Sequence, residues 1–278
     1  MNALHPLKTS DKNTKNEAEF IILGAGGSTG VPAIGNLWGE CDPSNPKNIR
    51  SRTSGLIKFK DKNIIIDTGP DFKLQANREN IGKIDAVLYT HDHGDHTNGI
   101  DELRVYKNLH GAKIPVFGSD ETLLSIEARH NHMFEKRSEF YPSVVDKHML
   151  YARDMGKPFE VVTGLNVIPF EMQHGHIMST GYRIGDLAYC ADMSSIPEHS
   201  LKYLEGIETL VVDASSFPFE TGKVHANYEY VQYLQRLIKP KHTYLTVLSV
   251  LLDYDDLNRK TPNDTVPAYD GLSIKIKF

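Results

Sequence analysis

His91-Asp92-His93-Gly94-Asp95-His96 places four candidate metal ligands, His91, His93, Asp95 and His96, within six residues, directly after the apolar run 84–89. Imidazole and carboxylate together suit a divalent ion such as zinc, and also the harder manganese and iron. A strand that stops in such a cluster delivers its ligands to a sheet edge, where two ions can be held side by side. Surface histidines can cluster by chance, but HxHxDH behind a buried strand is far more specific than a lone HxH. Any fold for this chain must bring that strand end to a metal site.

A chain of 278 residues builds one large domain or two small ones. The net charge of −5 leaves no basic footprint, which disfavours a bulky nucleic-acid substrate and allows a small phosphorylated one. Cys41 and Cys190 form neither a zinc-finger spacing nor a disulfide framework, which fits a reducing cytoplasm. Residues 1–17 are polar and lack the apolar stretch of a signal peptide; they are expected to form a disordered tail. The longest apolar run, 244–252, is too short to span a bilayer. A soluble cytoplasmic protein with no membrane partner is expected, and a homodimer is left open.

Strands are predicted at 20–23, 56–59, 63–66 and 85–89, with helices at 71–80, 98–110 and 121–129. The stretch 131–157 is rich in polar and aromatic residues and reads as a loop-bearing insertion. Further strands are predicted at 159–162, 166–172, 181–184, 187–190, 210–212 and 242–252, with a helix at 228–238. Strands gathered in each half favour one domain over 18–278, an α/β (αββα) sandwich of two mixed sheets with helices outside.

A metal cluster needs ligands beyond the hexad. His174 and Asp192 each stand at or just past the end of an apolar run, as a sandwich edge would present them; either residue is also at home in a plain turn. Asp67, in Ile65-Ile66-Asp67-Thr68-Gly69, has the same placement and suits a group that orients the histidine loop.

Ile66-Asp67-Thr68-Gly69, the hexad, His174 and Asp192, in that order, resemble the motifs of the metallo-β-lactamase superfamily. Gly27-Ser28-Thr29-Gly30-Val31-Pro32, Asn45-Pro46-Lys47-Asn48 and Ala268-Tyr269-Asp270-Gly271-Leu272 resemble the branch that contains the phosphoribosyl cyclic phosphodiesterase of phosphonate breakdown. The resemblance covers about residues 18–278. It implies one ion on His91, His93 and His174, a second on Asp95 and His96, and Asp192 bridging them. It also implies that Asp95 positions the attacking water and that His225, a plain loop histidine on sequence alone, assists phosphodiester cleavage. One or two divalent ions are therefore expected, zinc or manganese, with iron admitted.

Two departures from that family stand out. No histidine occupies 247–250, where the family carries another ligand to the second ion. His242 precedes position 249 by roughly 20 Å of extended strand and is no substitute. Cys41 alone remains of a cysteine motif that binds structural zinc in some relatives, so no structural zinc is expected.

The glycine-rich turn 24–30 has GxGxxxG spacing and is followed by a proline-rich loop, so a dinucleotide site is disfavoured against a tight turn. Ser28 and Thr29 remain candidate phosphate donors, and Arg52 a candidate charge clamp. His130 and His132, two apart, are read as surface residues or substrate contacts. The expected activity is metal-dependent phosphodiester hydrolysis on a small cyclic or nucleotide-like substrate. The rivals are a tRNA 3′-processing-type endonuclease and a nucleotide- or phosphate-binding protein with a degenerate metal site.

Overall fold

The computed structural model describes residues 17–215 and 224–278. The expected tail lies outside them except for Glu17, which pairs with Lys277. The first half of the chain supplies β1 (Glu17–Gly24), β2 (Ser54–Phe59), β3 (Lys62–Ile66), β4 (Ala86–Leu88), β5 (Ile114–Ser119) and β6 (Val145–Leu150). The second half supplies β7 (Phe159–Val162), β8 (Leu165–His174), β9 (Ile177–Ile184), β10 (Leu187–Cys190), β11 (Thr209–Asp213), β12 (His242–Thr246) and β13 (Thr265–Pro267). The last strand, β14 (Ser273–Lys277), returns to the first sheet.

Two seven-stranded sheets result, ordered β14-β1-β2-β3-β4-β5-β6 and β13-β12-β11-β10-β9-β8-β7. Both are mixed: β3 to β6 run parallel in one, β10 to β13 in the other. The αββα expectation is met, and the reason lies in the alternation along single strands. In β3, Ile64 and Ile66 enter the core between the sheets, while Ile65 faces the helices outside. In β11, Val211 faces inward, and Leu210 and Val212 face outward. A strand buried on both faces reads as an unbroken apolar run.

The helices are α1 (Phe72–Arg78), α2 (Gly94–Thr97), α3 (Leu103–His110), α4 (Asp120–Arg129), α5 (Asn131–Phe134), α6 (Glu198–Leu201), α7 (Tyr228–Ile238) and α8 (Tyr254–Lys260). Two sequence expectations are corrected. The insertion at 131–157 contains α5 and the edge strand β6, whose middle residues are polar because only one side of it meets a neighbouring strand. The strand expected over 242–252 ends at Thr246, because Val247 takes a left-handed backbone (φ +62°).

The residues that follow or end β3, β4, β8, β10 and β11 bring Asp67, His91, His174, Asp192 and Asp213 to one edge of the sandwich. Close backbone approach there depends on two glycines. A Cβ on Gly69 would lie 2.1 Å from the Asp95 carbonyl oxygen, and one on Gly99 would lie 2.0 Å from that of Gly69. The turn after β3 can therefore press directly on α2, with Thr68 N–H donating to His96 O (2.8 Å).

Candidate metal centre

His91 follows β4 closely, His93 caps the short helix α2, and Asp95 and His96 lie within that helix. His174 ends β8, and Asp192 lies two residues past β10 in a left-handed conformation. The structure brings all six together. His91, His93 and His174 can each point one ligand atom at a common centre, as can His91, His96 and Asp192. Asp95 joins through an oxygen 3.5 Å from His96 Nε2.

Hydrogen bonds set which ring nitrogens are available. The Thr90 hydroxyl donates to Asp67 Oδ2 (2.7 Å), so it must accept from His91 Nδ1 at 3.0 Å. His91 Nε2 is then a bare acceptor, and it is buried with no hydrogen-bond partner. His96 Nδ1 donates to Asp67 Oδ2 (2.8 Å), which turns its Nε2 to Asp192 Oδ2 at 3.1 Å. His174 Nδ1 donates to the Val224 carbonyl (2.9 Å), leaving Nε2 3.3 Å from His93 Nδ1. Two nitrogens bound to one tetrahedral zinc at 2.0–2.1 Å stand about 3.3 Å apart. Asp192 Oδ2 is also buried without a well-aligned hydrogen bond, 3.1 Å from His96 Nε2. Buried polar atoms left unpaired are costly, and a divalent cation would satisfy these two together. The donor set fits such an ion.

The electrostatics separate the two halves of the cluster. Burial, reinforced by the neighbouring histidines, pushes His91 well below the usual imidazole range, and burial also lowers His174. Both present neutral rings, the form that binds metal. For His96, burial is outweighed by Asp192 and Asp67, which raise it well above that range. Asp192 is held low against its burial by His96 and His91. The two carboxylates thus favour a protonated His96, and an incoming ion competes with that proton.

Residues 62–246 match the Beta-lactamase superfamily domain family. The chain belongs to the metallo-β-lactamase superfamily. A crystal structure described as a new diphosphatase from the PhnP family superposes with a TM-score of 0.81 at 33% identity, covering 92% of this chain and 97% of that one. An octanoyltransferase of Porphyromonas gingivalis is 33% identical over 258 residues, 91% of this chain and 50% of that protein. A ribonuclease Z of Methanopyrus kandleri is 29% identical over 143 residues, 50% of this chain and 46% of that protein. The chain spans about half the length of the curated relatives it matches.

Within this metallo-β-lactamase edge, His225 stands beside the cluster, its ring 5.1 Å from that of His174 and its Nδ1 3.9 Å from Asp192 Oδ1. Its Nδ1 lies 2.7 Å from Asp213 Oδ2, at the end of β11. Burial opposes charge on His225, but the Asp213 hydrogen bond and carboxylate, with Asp192, lift it to about 9. Asp213 also accepts from the backbone N–H groups of Met193 and Ser215. Sequence reasoning missed Asp213, although Leu210-Val211-Val212-Asp213 carries the strand-end carboxylate signal used for Asp192. Asp67, anticipated as an orienting group, accepts from Thr90 N–H, the Thr90 hydroxyl and His96.

The remaining candidates have contacts of their own. Ser28 and Thr29 are exposed on the glycine turn. Arg52 donates to Asp71 Oδ1 (3.0 Å) and to the Ser28 carbonyl (2.9 Å), so its guanidinium braces that turn. Thr29 and Arg52 line an open cavity of 430 Å³ with Asp71 and Arg78, and none of the six clustered residues lines it. His130 and His132 meet Asp101, at 3.9 and 2.7 Å. His242 is exposed at the start of β12.

Proposed function

We propose that this protein is a metal-dependent hydrolase, a phosphodiesterase for a small cyclic or nucleotide-like phosphodiester. The observation that carries the reading is the side-by-side arrangement of the histidine–carboxylate cluster and the Asp213–His225 pair. His91, His93 and His174 would hold a divalent ion, with Asp192 and the Asp95–His96 pair beside it, and such an ion would supply Lewis-acid chemistry for activating water and offsetting phosphoryl charge. Asp95, partly exposed next to the cluster, orients the attacking water and accepts its hydrogen bond. His225, held by Asp213 and protonated near neutral pH, donates its Nε2 proton to the leaving alkoxide as the phosphorus–oxygen bond breaks. Similarity to a PhnP-family diphosphatase supports phosphorus chemistry on a small substrate. The net charge of −5 supports it over an RNA substrate.

The test is hydrolysis of bis(p-nitrophenyl) phosphate and of cyclic nucleotides by wild type and His93→Ala, each loaded with zinc, manganese or iron(II). Metal-dependent turnover that is lost in the variant is expected. Absence of turnover with every metal overturns the enzyme reading. It leaves the phosphate-binding alternative, which the apolar Val247 favours because it adds no ligand to the second ion.

A further inference from the structure

Most histidines of the cluster have a protein group fixing the ring from its far side: Thr90 for His91, Asp67 for His96, Val224 for His174 and Asp213 for His225. His93 differs. Among the described residues, the one hydrogen-bonding contact of its ring is with His174, inside the cluster, and His93 is the exposed member of its trio. Its aim must be set through the backbone.

That backbone is clamped from α4. The Asp92 carbonyl belongs to the peptide that leads into His93, and the Arg129 guanidinium donates to it. Thr97 Oγ1 reaches the same carbonyl at 3.4 Å and the His93 carbonyl at 2.9 Å. The Asp92 side chain is held too. Ser125 Oγ donates to its Oδ2 at 2.5 Å, with Arg129 Nη2 3.7 Å from the same oxygen. Arg129 Nε in turn donates to the Ser125 carbonyl (3.3 Å), so one turn of α4 grips both the side chain and the carbonyl of Asp92. The helix itself is rigidly seated. Ser119 caps its start, and Leu123 and Ile126 are fully buried in the cluster that contains Tyr89, two residues before His91.

We propose that Arg129 and Ser125 are positioning residues for His93, setting the first ion's affinity and geometry through Asp92 without touching the ion. Arg129 and Asp92 are each about one-third exposed, so their charge attraction contributes little. What the clamp supplies is direction. Released, the Asp92–His93 peptide can rotate and swing the imidazole off a centre that His91 and His174 still define. The proposal rests on the reading that this trio holds an ion.

Arg129→Met, Arg129→Lys and Ser125→Ala test it, with zinc titrated by calorimetry and cobalt(II) followed by its visible absorption. Arg129→Met is expected to weaken the first ion by about 10- to 100-fold, as loss of an orienting group does, and to alter the cobalt spectrum. Arg129→Lys, which keeps a donor, should recover at least part of the affinity, and Ser125→Ala should give a smaller loss in the same direction. Metal-free melting temperatures should stay within a few degrees of wild type. Wild-type affinity and spectrum in both Arg129→Met and Ser125→Ala overturn the clamp and leave the metal centre standing. So does an affinity loss matched by collapse of metal-free stability in all three variants. A wild type that binds neither zinc nor cobalt overturns the metal reading and the clamp with it.

Discussion

Val247 and Asp192 share one backbone conformation at equivalent places in one sheet. Asp192 lies just past β10 with φ +54°, and Val247 directly after β12 with φ +62°; β11 runs between these parallel strands. Asp67, after β3 in the other sheet, matches them at φ +63°. The left-handed conformation costs an L-residue about 1–2 kcal/mol. Asp, Asn and His adopt it more readily than a β-branched residue does. Asp67 and Asp192 turn carboxylates toward the histidines, whereas Val247 is buried in the apolar core between the sheets. Position 247 has the backbone of a ligand-bearing turn without a ligand.

Val247→His is therefore expected to strengthen binding of a second ion, by adding a ligand on a backbone already turned for one. Wild type should bind the first ion tightly and the second weakly. Metal analysis after dialysis and calorimetric titration would show the ratio moving from about one ion per chain toward two. An unchanged ratio and affinity would place the missing ligand elsewhere in 247–250.

The proton on His96 makes second-ion binding pH-dependent. Its imidazole is raised well above 6.5 despite burial, by Asp192 and Asp67, so the proton must leave before Nε2 can bind metal. Second-ion affinity should rise by up to about tenfold per pH unit until the pH passes His96's raised value. First-ion affinity should stay flatter between pH 6.5 and 8, because His91 and His174 are lowered and already neutral. Calorimetry at three pH values separates the two. In the metal-free protein the linkage has the opposite sense. A raised histidine contributes stability that is full below about 6.5 and is lost as pH climbs through the raised value.

Much of this edge was legible because a strand buried on both faces and then cut off by a polar side chain leaves a sharp signal. That signal located the hexad, Asp67 and Asp192, whereas His174 ends β8, where burial alternates and the signal is weaker. Asp213 carries the same signal, but one carboxylate after an apolar run resembles any turn. β6 escaped notice because an edge strand carries polar residues such as Lys147 and His148 in its middle. The end of β12 was hidden for the opposite reason: Val247 is a good strand former, so its left-handed turn leaves no mark in the sequence. Arg129 and Ser125 lie more than thirty positions from Asp92, and only the packing of α4 reveals the connection.

Asp67 should govern both stability and metal binding. It is fully buried and accepts three hydrogen bonds, from Thr90 N–H, the Thr90 hydroxyl and His96. Asp67→Ala strands those donors and is expected to cost about 3–5 kcal/mol, read from chemical denaturation of the metal-free protein. Asp67→Asn keeps the shape and one acceptor oxygen. It should fold with a smaller loss, yet weaken binding at His96 by about 10- to 100-fold. Equal metal affinity in Asp67→Asn and wild type would show that His96 needs no orienting carboxylate.

The Asp213–His225 pair predicts the alkaline limb of the activity. His225 is protonated below about 9, where Asp213 and Asp192 overcome its burial, and a proton donor is lost as pH rises through that value. Turnover should therefore fall above about pH 9. In Asp213→Asn the carboxylate's charge is gone, so the limb should move toward the ordinary histidine value near 6.5. His225→Gln should lower kcat by about 10²- to 10⁴-fold while leaving first-ion content unchanged, since His91, His93 and His174 remain. A substrate whose leaving group is p-nitrophenolate needs little protonation and should lose far less than one that releases an alkoxide. Equal losses on both substrates would remove His225 from the proton-donor role and leave it as a binding group for the phosphoryl oxygens.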